Sequence, residues 1–138
     1  MSFLSQLRQI LFGTPSPSGR ARENGEGMGD TARRIGDEAD LEAALEEPLA
    51  FIYKHSPVCG VSSMAIREVT QYLDAGGKVP VYLVDVIEDR ALSQSIASRL
   101  GVRHASPQAI LVEKGVATWD TSHGGITSDA LRAAGGER

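Results

Sequence analysis

Hydrophobic positions recur from residue 34 onward in two patterns, one typical of strands and one typical of helices. Short, nearly continuous apolar runs are expected of buried strands, and apolar residues spaced three and four apart indicate helices. The apolar runs predict strands at 49–53, 79–86, 108–113 and 116–120. The helical spacing predicts helices at 41–47, 61–73, 90–100 and 128–134.

Local sequence signals predict where these elements begin and end. Asp40 is a candidate N-cap for the first helix, and Asp89 is one for the third, because carboxylates accept hydrogen bonds from free N–H groups of a first turn. Gly101 is expected to end the third helix. Lys114-Gly115 separates the last two strands as a tight hairpin turn. The order strand, helix, strand, helix, strand, strand, helix predicts an α/β fold, a small mixed sheet with helices on both faces.

The first 34 residues follow neither pattern for long, so we divide the chain into an N-terminal extension, 1–34, and a domain, 35–138. Residues 1–12 have apolar positions at helical spacing, which is compatible with a short amphipathic helix that contacts a membrane surface, a partner or the protein's own domain, and also with a frayed terminus. Residues 13–30 are rich in Gly, Pro and Ser, a composition typical of a linker.

The composition narrows the class of protein. The chain of 138 residues is 41% hydrophobic and 23% charged, as expected of a single globular domain. Its net charge of −4 argues against a nucleic-acid partner, which usually meets a basic surface. One cysteine cannot build a disulfide framework, and no apolar run approaches the ~20 residues that span a bilayer. We therefore expect a cytoplasmic protein.

The single cysteine, Cys59, lies where the strand pattern 49–53 gives way to the helical pattern 61–73. A thiol at the start of a helix is close to free backbone N–H groups, and these groups and the helix dipole favour the thiolate. Structural buried cysteines are also common. The residues alone therefore leave two interpretations, a reactive thiol and a structural one.

Four neighbours of Cys59 are candidate supporting residues. Ser62 stands where a dithiol protein carries its second cysteine, and its hydroxyl can donate a hydrogen bond to a thiolate but cannot form a disulfide. Gly60 leaves the helix start open, and Pro57 constrains the preceding loop. His55 is a candidate for electrostatic stabilisation of the thiolate, although a histidine that merely ends a strand is the simpler interpretation.

A second candidate feature is Ser106-Pro107, which precedes an apolar strand. A cis proline facing the cysteine loop would shape a groove, but only ~5% of X–Pro bonds are cis, so the residues alone carry little weight. No metal site is predicted, because the three histidines and the cysteine lack the spacing of zinc ligands.

Three segments of the chain resemble the monothiol bacilliredoxins, the thioredoxin-like proteins of the bacillithiol system. The segments are 51–62, 104–110 and 119–127, and their order and spacing cover roughly residues 35–135. One departure concerns the cysteine loop. Members of this family often carry Thr-Cys-Pro-Ile-Ser where this chain has Val58-Cys59-Gly60-Val61-Ser62, so glycine replaces proline directly after the cysteine.

The resemblance implies a thioredoxin fold in which Cys59 is the only redox cysteine. It also implies that Pro107 is a cis proline and that Ser106 offers backbone hydrogen bonds to a bound thiol compound or peptide. The glycine at position 60 changes the stiffness of the loop and bears on the acidity of the thiol, not on the fold.

The leading hypothesis is a thiol-disulfide oxidoreductase that removes bacillithiol from mixed disulfides on client proteins through Cys59. Bacillithiol, or another low-molecular-weight thiol, would then be a co-substrate, and no bound cofactor is expected. One alternative is a non-catalytic adaptor or redox sensor that binds partners through the groove of the thioredoxin fold and through residues 1–12, while Cys59 is only modified. A second alternative is iron–sulfur ligation by Cys59 of two chains.

Overall fold

The computed structural model of the chain describes residues 32–137. The predicted amphipathic segment 1–12 and the linker 13–30 lie outside these residues, so both stay predictions. The described elements, in chain order, are β1 (Ala32–Arg34), α1 (Glu38–Glu46), β2 (Ala50–His55), α2 (Gly60–Asp74), β3 (Val81–Asp85), α3 (Arg90–Leu100), β4 (Gln108–Glu113), β5 (Val116–Ser122), a 3-10 turn (His123–Gly125) and α4 (Ser128–Ala134).

The strands form one mixed sheet in the order β1-β3-β2-β4-β5. Strands β1 and β2 run parallel to β3, whereas β4 and β5 are antiparallel to their neighbours. The sheet confirms the predicted hairpin between the last two strands. The chain passes from β2 through α2 to the parallel strand β3. Because β2 and β3 are parallel, the loops that follow them leave the sheet at the same edge.

The sheet also contains a strand that the hydrophobic pattern did not predict. Ala32 pairs with Val81, and Arg34 pairs with Leu83, so β1 belongs to the sheet. Residues 32–34, which the sequence pattern placed in the N-terminal extension, thus pair with the sheet, and the division between extension and domain stays a prediction. A three-residue edge strand with two arginines has too few apolar positions to show the period-2 pattern of a half-buried strand.

The first helix begins earlier than predicted. Its N-cap is Asp37, whose carboxylate accepts a hydrogen bond from the backbone N–H of Asp40 at 2.8 Å. Asp40 lies inside the helix and accepts a hydrogen bond from the N–H of Gly36 at 2.9 Å. The prediction of Asp40 as the cap is therefore wrong. Two aspartates three residues apart satisfy the same sequence rule, and the backbone conformation chooses between them.

Two hydrophobic cores cover the two faces of the sheet, because successive residues of β2 point to opposite sides. Phe51 and Tyr53 face the core formed with α2 and α4. Ile52 faces the core formed with α1 and α3. All six side chains of β2 are buried, which explains why its sequence is nearly continuous in apolar residues. The predicted helices on both faces of the sheet are confirmed.

The hairpin between β4 and β5 turns at Lys114 and Gly115, as predicted. Their φ angles are 51° and 83°, so both residues adopt the left-handed conformation that a type I′ turn requires. Glycine adopts this conformation without steric cost, whereas lysine is less suited to it. The turn places β5 at one edge of the sheet and positions β4 beside β2.

Candidate active site

Cys59 occupies the N-cap position of α2, at the end of a tight turn that leaves β2. The backbone N–H of Cys59 donates to the carbonyl of Ser56 at 3.2 Å, which closes a four-residue turn. Pro57 is the second residue of this turn, where its fixed φ angle is favourable. The turn holds the half-buried thiol at the first turn of the helix, where backbone N–H groups have no helical partner.

The surroundings of Cys59 lower the pKa of its thiol. The main causes are hydrogen bonds from the backbone N–H groups of Ser62 and Val61, and the hydroxyl of Ser62 adds to them. Partial burial of the sulfur opposes this shift. The first turn of the helix carries no acidic residue that would repel a thiolate. The site therefore favours the nucleophilic form of the cysteine.

Ser62 connects the thiol to the loop that precedes it. Its side chain is fully buried, and its oxygen accepts a hydrogen bond from the backbone N–H of Ser56 at 3.2 Å. Since that oxygen already accepts from Ser56, the hydroxyl proton is free to point to the sulfur of Cys59. Ser62 therefore stabilises both the loop and the thiolate.

Replacing Ser62 by alanine is expected to raise the pKa of the Cys59 thiol, because the thiolate loses one hydrogen bond. Alkylation by iodoacetamide at pH 7 should then slow by roughly two- to fivefold. The measurement is the alkylation rate as a function of pH. Ser63→Ala is the matched control, since Ser63 is exposed in the same turn of the helix. Equal profiles for the two variants would show that the hydroxyl of Ser62 does not act on the sulfur.

Gly60 is the first residue of α2 and shows no steric need for glycine, because a Cβ atom there would meet nothing within 4 Å. Cys59 before it has φ −105° and ψ 125°, an extended conformation compatible with a following proline. The N–H groups that act on the sulfur belong to Val61 and Ser62. The family that the sequence resembles often has proline at this position. Glycine in its place is therefore compatible with an acidified thiol.

Gly60→Pro is expected to stabilise the fold by about 0.4–1 kcal/mol, because proline restricts the unfolded chain and suits the first position of a helix. The pH profile of Cys59 alkylation should keep its midpoint, since proline removes no N–H group that acts on the sulfur. Urea denaturation measures the stability. Gly60→Ala, which keeps the N–H group, is the control, and a proline variant less stable than it would contradict the prediction.

His55 ends β2 and is buried. Its Nδ1 lies 3.0 Å from the hydroxyl of Tyr53, and that hydroxyl lies 3.4 Å from the carbonyl of Ser62. Burial lowers the pKa of His55, and the carboxylate of Asp85 partly opposes this effect. The structure therefore links His55 to the cysteine helix through Tyr53, and the groups that acidify the thiol are those of the helix itself.

Tyr53 is a residue of this site that the sequence pattern concealed. Burial raises the pKa of its hydroxyl, and the negative charge of Cys59 raises it further, so the phenol stays neutral beneath the thiolate. In the sequence, Tyr53 continues an apolar run and looks like ordinary core. Only the alternation of side chains along β2 reveals that Tyr53 and His55 share the face on which α2 packs.

Ser106 and Pro107 lie at the sheet edge from which the cysteine loop also departs. The Ser106–Pro107 peptide bond is cis, as the resemblance implies. Gln108, the next residue, pairs with Lys54 near the carboxyl end of β2. The side-chain oxygen of Ser106 is buried, with no hydrogen-bond partner among the described residues.

The structure pairs Lys54 with His104, which the sequence did not indicate. Lys54 is fully buried, on the face of β2 opposite His55, and its Nζ lies 3.0 Å from Nδ1 of His104. Burial lowers the pKa of Lys54 to about 8. Partial loss of hydration around the His104 ring lowers the pKa of that histidine, and the positive charges of Lys54 and Arg90 lower it further. Lys54 is therefore directed away from the thiol.

Lys54→Met is expected to remove a pH dependence of stability. The unfolded state keeps the lysine proton up to its ordinary pKa of 10.5, whereas the folded state releases it near pH 8. The unfolded state thus binds more protons between these values, and the stability of the natural protein rises with pH there. The variant should be the more stable protein at pH 7, with an advantage that shrinks toward pH 10.5.

Urea denaturation at several pH values between 7 and 10.5 measures this difference. Lys78→Met is the control, because Lys78 is exposed and the same substitution there removes a solvated charge. A stability difference between natural protein and Lys54→Met that does not change with pH would contradict the prediction.

Among residues 32–137, no helix is long and apolar enough to cross a membrane. The same residues contain no group of three or more His, Cys, Asp or Glu side chains placed to hold a metal ion.

A mixed sheet with helices on both faces, a cis proline and an acidified thiol at a helix start together define a thioredoxin-fold protein of the one-cysteine type. Solved structures agree with this class. A provisionally assigned oxidoreductase with a thioredoxin fold superposes with a TM-score of 0.71 and 29% sequence identity, over 78% of this chain and 96% of that chain. A mutant thioredoxin from Halobacterium salinarum NRC-1 superposes with a TM-score of 0.62 and 20% sequence identity, over 77% of this chain and 88% of that chain. The thioredoxin of Malassezia sympodialis has a TM-score of 0.62 and 20% sequence identity, over 76% of this chain and 88% of that chain.

The sequence pattern of the monothiol bacilliredoxin BrxC matches residues 33–131. The chain belongs to the monothiol bacilliredoxin family. The family and the fold together support a thiol redox role. The match begins at Arg33, inside β1.

Proposed function

We propose that this protein is a thiol-disulfide oxidoreductase that removes bacillithiol from mixed disulfides on client proteins. The observation that carries the proposal is the position of Cys59, the only cysteine of the chain, whose thiol is acidified by the first turn of α2. Membership of the monothiol bacilliredoxin family supports bacillithiol as the small thiol. A lone acidified thiol suits exchange with a mixed disulfide and excludes an internal dithiol cycle.

In the proposed first step, the Cys59 thiolate attacks the bacillithiol sulfur of the mixed disulfide. A disulfide forms between Cys59 and bacillithiol, and the bond to the client breaks. The client sulfur leaves as a thiolate and takes a proton from water. In the second step, the thiolate of a second bacillithiol attacks the bacillithiol sulfur on Cys59, which releases oxidised bacillithiol and restores the Cys59 thiolate.

The surface around the thiol supports a protein as the client. Val58, Val61 and Met64 are exposed, at 81%, 40% and 68% of their accessible surface. These apolar side chains flank Cys59 on the loop and on the first turns of α2. Exposed apolar side chains grouped at one place are typical of a contact surface. In this proposal, the backbone of Ser106 forms hydrogen bonds to the extended client segment or to the small thiol.

The proposal is tested by incubating the reduced protein with a bacillithiolated client and following both masses over time. We expect bacillithiol to appear on Cys59 as the client loses it, and free bacillithiol to clear the adduct. An unmodified Cys59 beside an intact mixed disulfide, with the protein folded, would reject the proposal and favour a binding role. A client that carries glutathione instead tests whether the small thiol is recognised.

A further inference from the structure

An open cleft of about 350 Å³ lies on the face of the sheet opposite the cysteine helix. Its lining residues come from the loop after β3, from the first turns of α3, and from the segment before β4, and they are Val86, Ile87, Arg90, Ser93, Gln94 and His104. The N–H of Val86 donates to the carbonyl of His55 at 3.0 Å, so the cleft opens at the same sheet edge as the cysteine loop.

Each polar side chain that lines this cleft can donate a hydrogen bond, and one of them, Arg90, carries a positive charge. Arg90 supplies a guanidinium, and Gln94 and Ser93 supply an amide and a hydroxyl. No acidic residue is among the lining residues. In a chain with a net charge of −4, a cleft with a cation and without a carboxylate in its lining favours a negatively charged ligand.

Behind the cleft lies the buried ammonium group of Lys54, whose Nζ contacts Nδ1 of His104. An ammonium group can only donate, so Nδ1 accepts and the ring proton of a neutral His104 resides on Nε2. Hydroxyl Oγ of Ser93 lies 3.4 Å from the same Nδ1. His104 therefore lies between the Lys54 ammonium group and the cleft, and its Nε2–H group remains to donate to a ligand.

The positive charges of this region lack acidic partners among residues 32–137. No carboxylate of these residues lies within 4.0 Å of Lys54 Nζ or of the Arg90 guanidinium. Two nearby aspartates are engaged elsewhere. Asp89 pairs with Arg34 at 3.1 Å, and Asp85 accepts the N–H groups that follow β3. A buried cation without a counter-charge is costly, and a bound anion would offset that cost.

We propose that this cleft binds a small oxyanion, a carboxylate or a phosphate, between Arg90, Ser93 and His104, with Lys54 behind them. Arg90 would hold two oxygens of the anion, since its guanidinium offers parallel donors. Ser93 and Nε2 of His104 would donate to the remaining oxygen. The site does not include Cys59 and does not depend on the function proposed for the thiol.

The test is a titration of the full chain with inorganic phosphate or with succinate, followed by amide NMR signals at constant ionic strength set with sodium chloride. We expect saturable shifts at Arg90, Ser93, Gln94 and His104. Saturation by phosphate but not succinate would assign the site to phosphate groups, and the reverse result would assign it to carboxylates. No saturable shift with either anion would overturn the proposal.

Two exposed arginines provide matched variants, because Arg90 lines the cleft and Arg67 lies on α2. Arg90→Gln should weaken anion binding by about tenfold, the effect of one lost bidentate charged contact. Arg67→Gln removes the same charge from the other face of the sheet and should bind within about twofold of the natural protein. Equal affinities for the two variants would also overturn the proposal.

Discussion

Replacing Cys59 by serine is expected to abolish the transfer of bacillithiol from a client protein. The serine hydroxyl does not ionise near pH 7 and forms no disulfide, so the backbone N–H groups of Val61 and Ser62 have no thiolate to stabilise. The chain has no second cysteine that could substitute. Mass spectrometry should show that the client incubated with the Cys59→Ser variant keeps its bacillithiol at a time when the client incubated with the natural protein has lost it.

The control for this experiment is Ser63→Ala, which changes an exposed side chain four residues further along the same helix and should transfer at the natural rate. Circular dichroism verifies that the Cys59→Ser variant is folded. A folded Cys59→Ser variant with full activity would reject the mechanism, because no step of it proceeds without a nucleophilic sulfur at position 59.

Phe51→Ala is expected to produce the largest loss of stability, about 3–5 kcal/mol, because the substitution leaves a cavity beside the sheet. Phe51 is 1% exposed and lies at the centre of an aromatic cluster. Its ring centroid is 5.7 Å from that of Tyr72 and 6.1 Å from that of Trp119, both in edge-to-face geometry. The free energy of unfolding in urea measures the loss.

Val116→Ala is the matched control in the same sheet, since Val116 is 63% exposed on β5 and should change stability by less than about 0.5 kcal/mol. A Phe51→Ala variant that loses less than about 1 kcal/mol would mean that the aromatic cluster repacks around the vacated space. The thiol of Cys59 should keep its alkylation profile while the variant is folded, because Phe51 contributes packing and no charge.

Many elements of the fold were predictable because their signals are local. The apolar run of β2 reflects burial on both faces, and the turn at Lys114-Gly115 reflects a backbone conformation that glycine favours. The cysteine at a strand–helix junction was visible for the same reason. A few consecutive residues carry each of these signals, so periodicity and turn chemistry were sufficient to find them.

Other features depended on contacts between distant parts of the chain. Strand β1 exists because Ala32–Arg34 pairs with β3, nearly fifty residues later, and its own sequence is too short and too charged to show a strand pattern. The helix cap at Asp37, in place of Asp40, depends on the backbone conformation that the chain adopts after β1. Neither feature has a local signal of sufficient length.

The sequence by itself determined the order of the main elements, the α/β class and the one position where a thiol can react, because these follow from short-range spacing and from the single cysteine. Only the tertiary structure decided which polar groups surround that thiol and which do not. The alternation along β2 directs Tyr53 and His55 to the cysteine helix and Lys54 to His104, fifty residues away. Neighbouring residues of a strand thus point to opposite faces of the sheet, and the side chains that each of them contacts depend on how distant elements pack there.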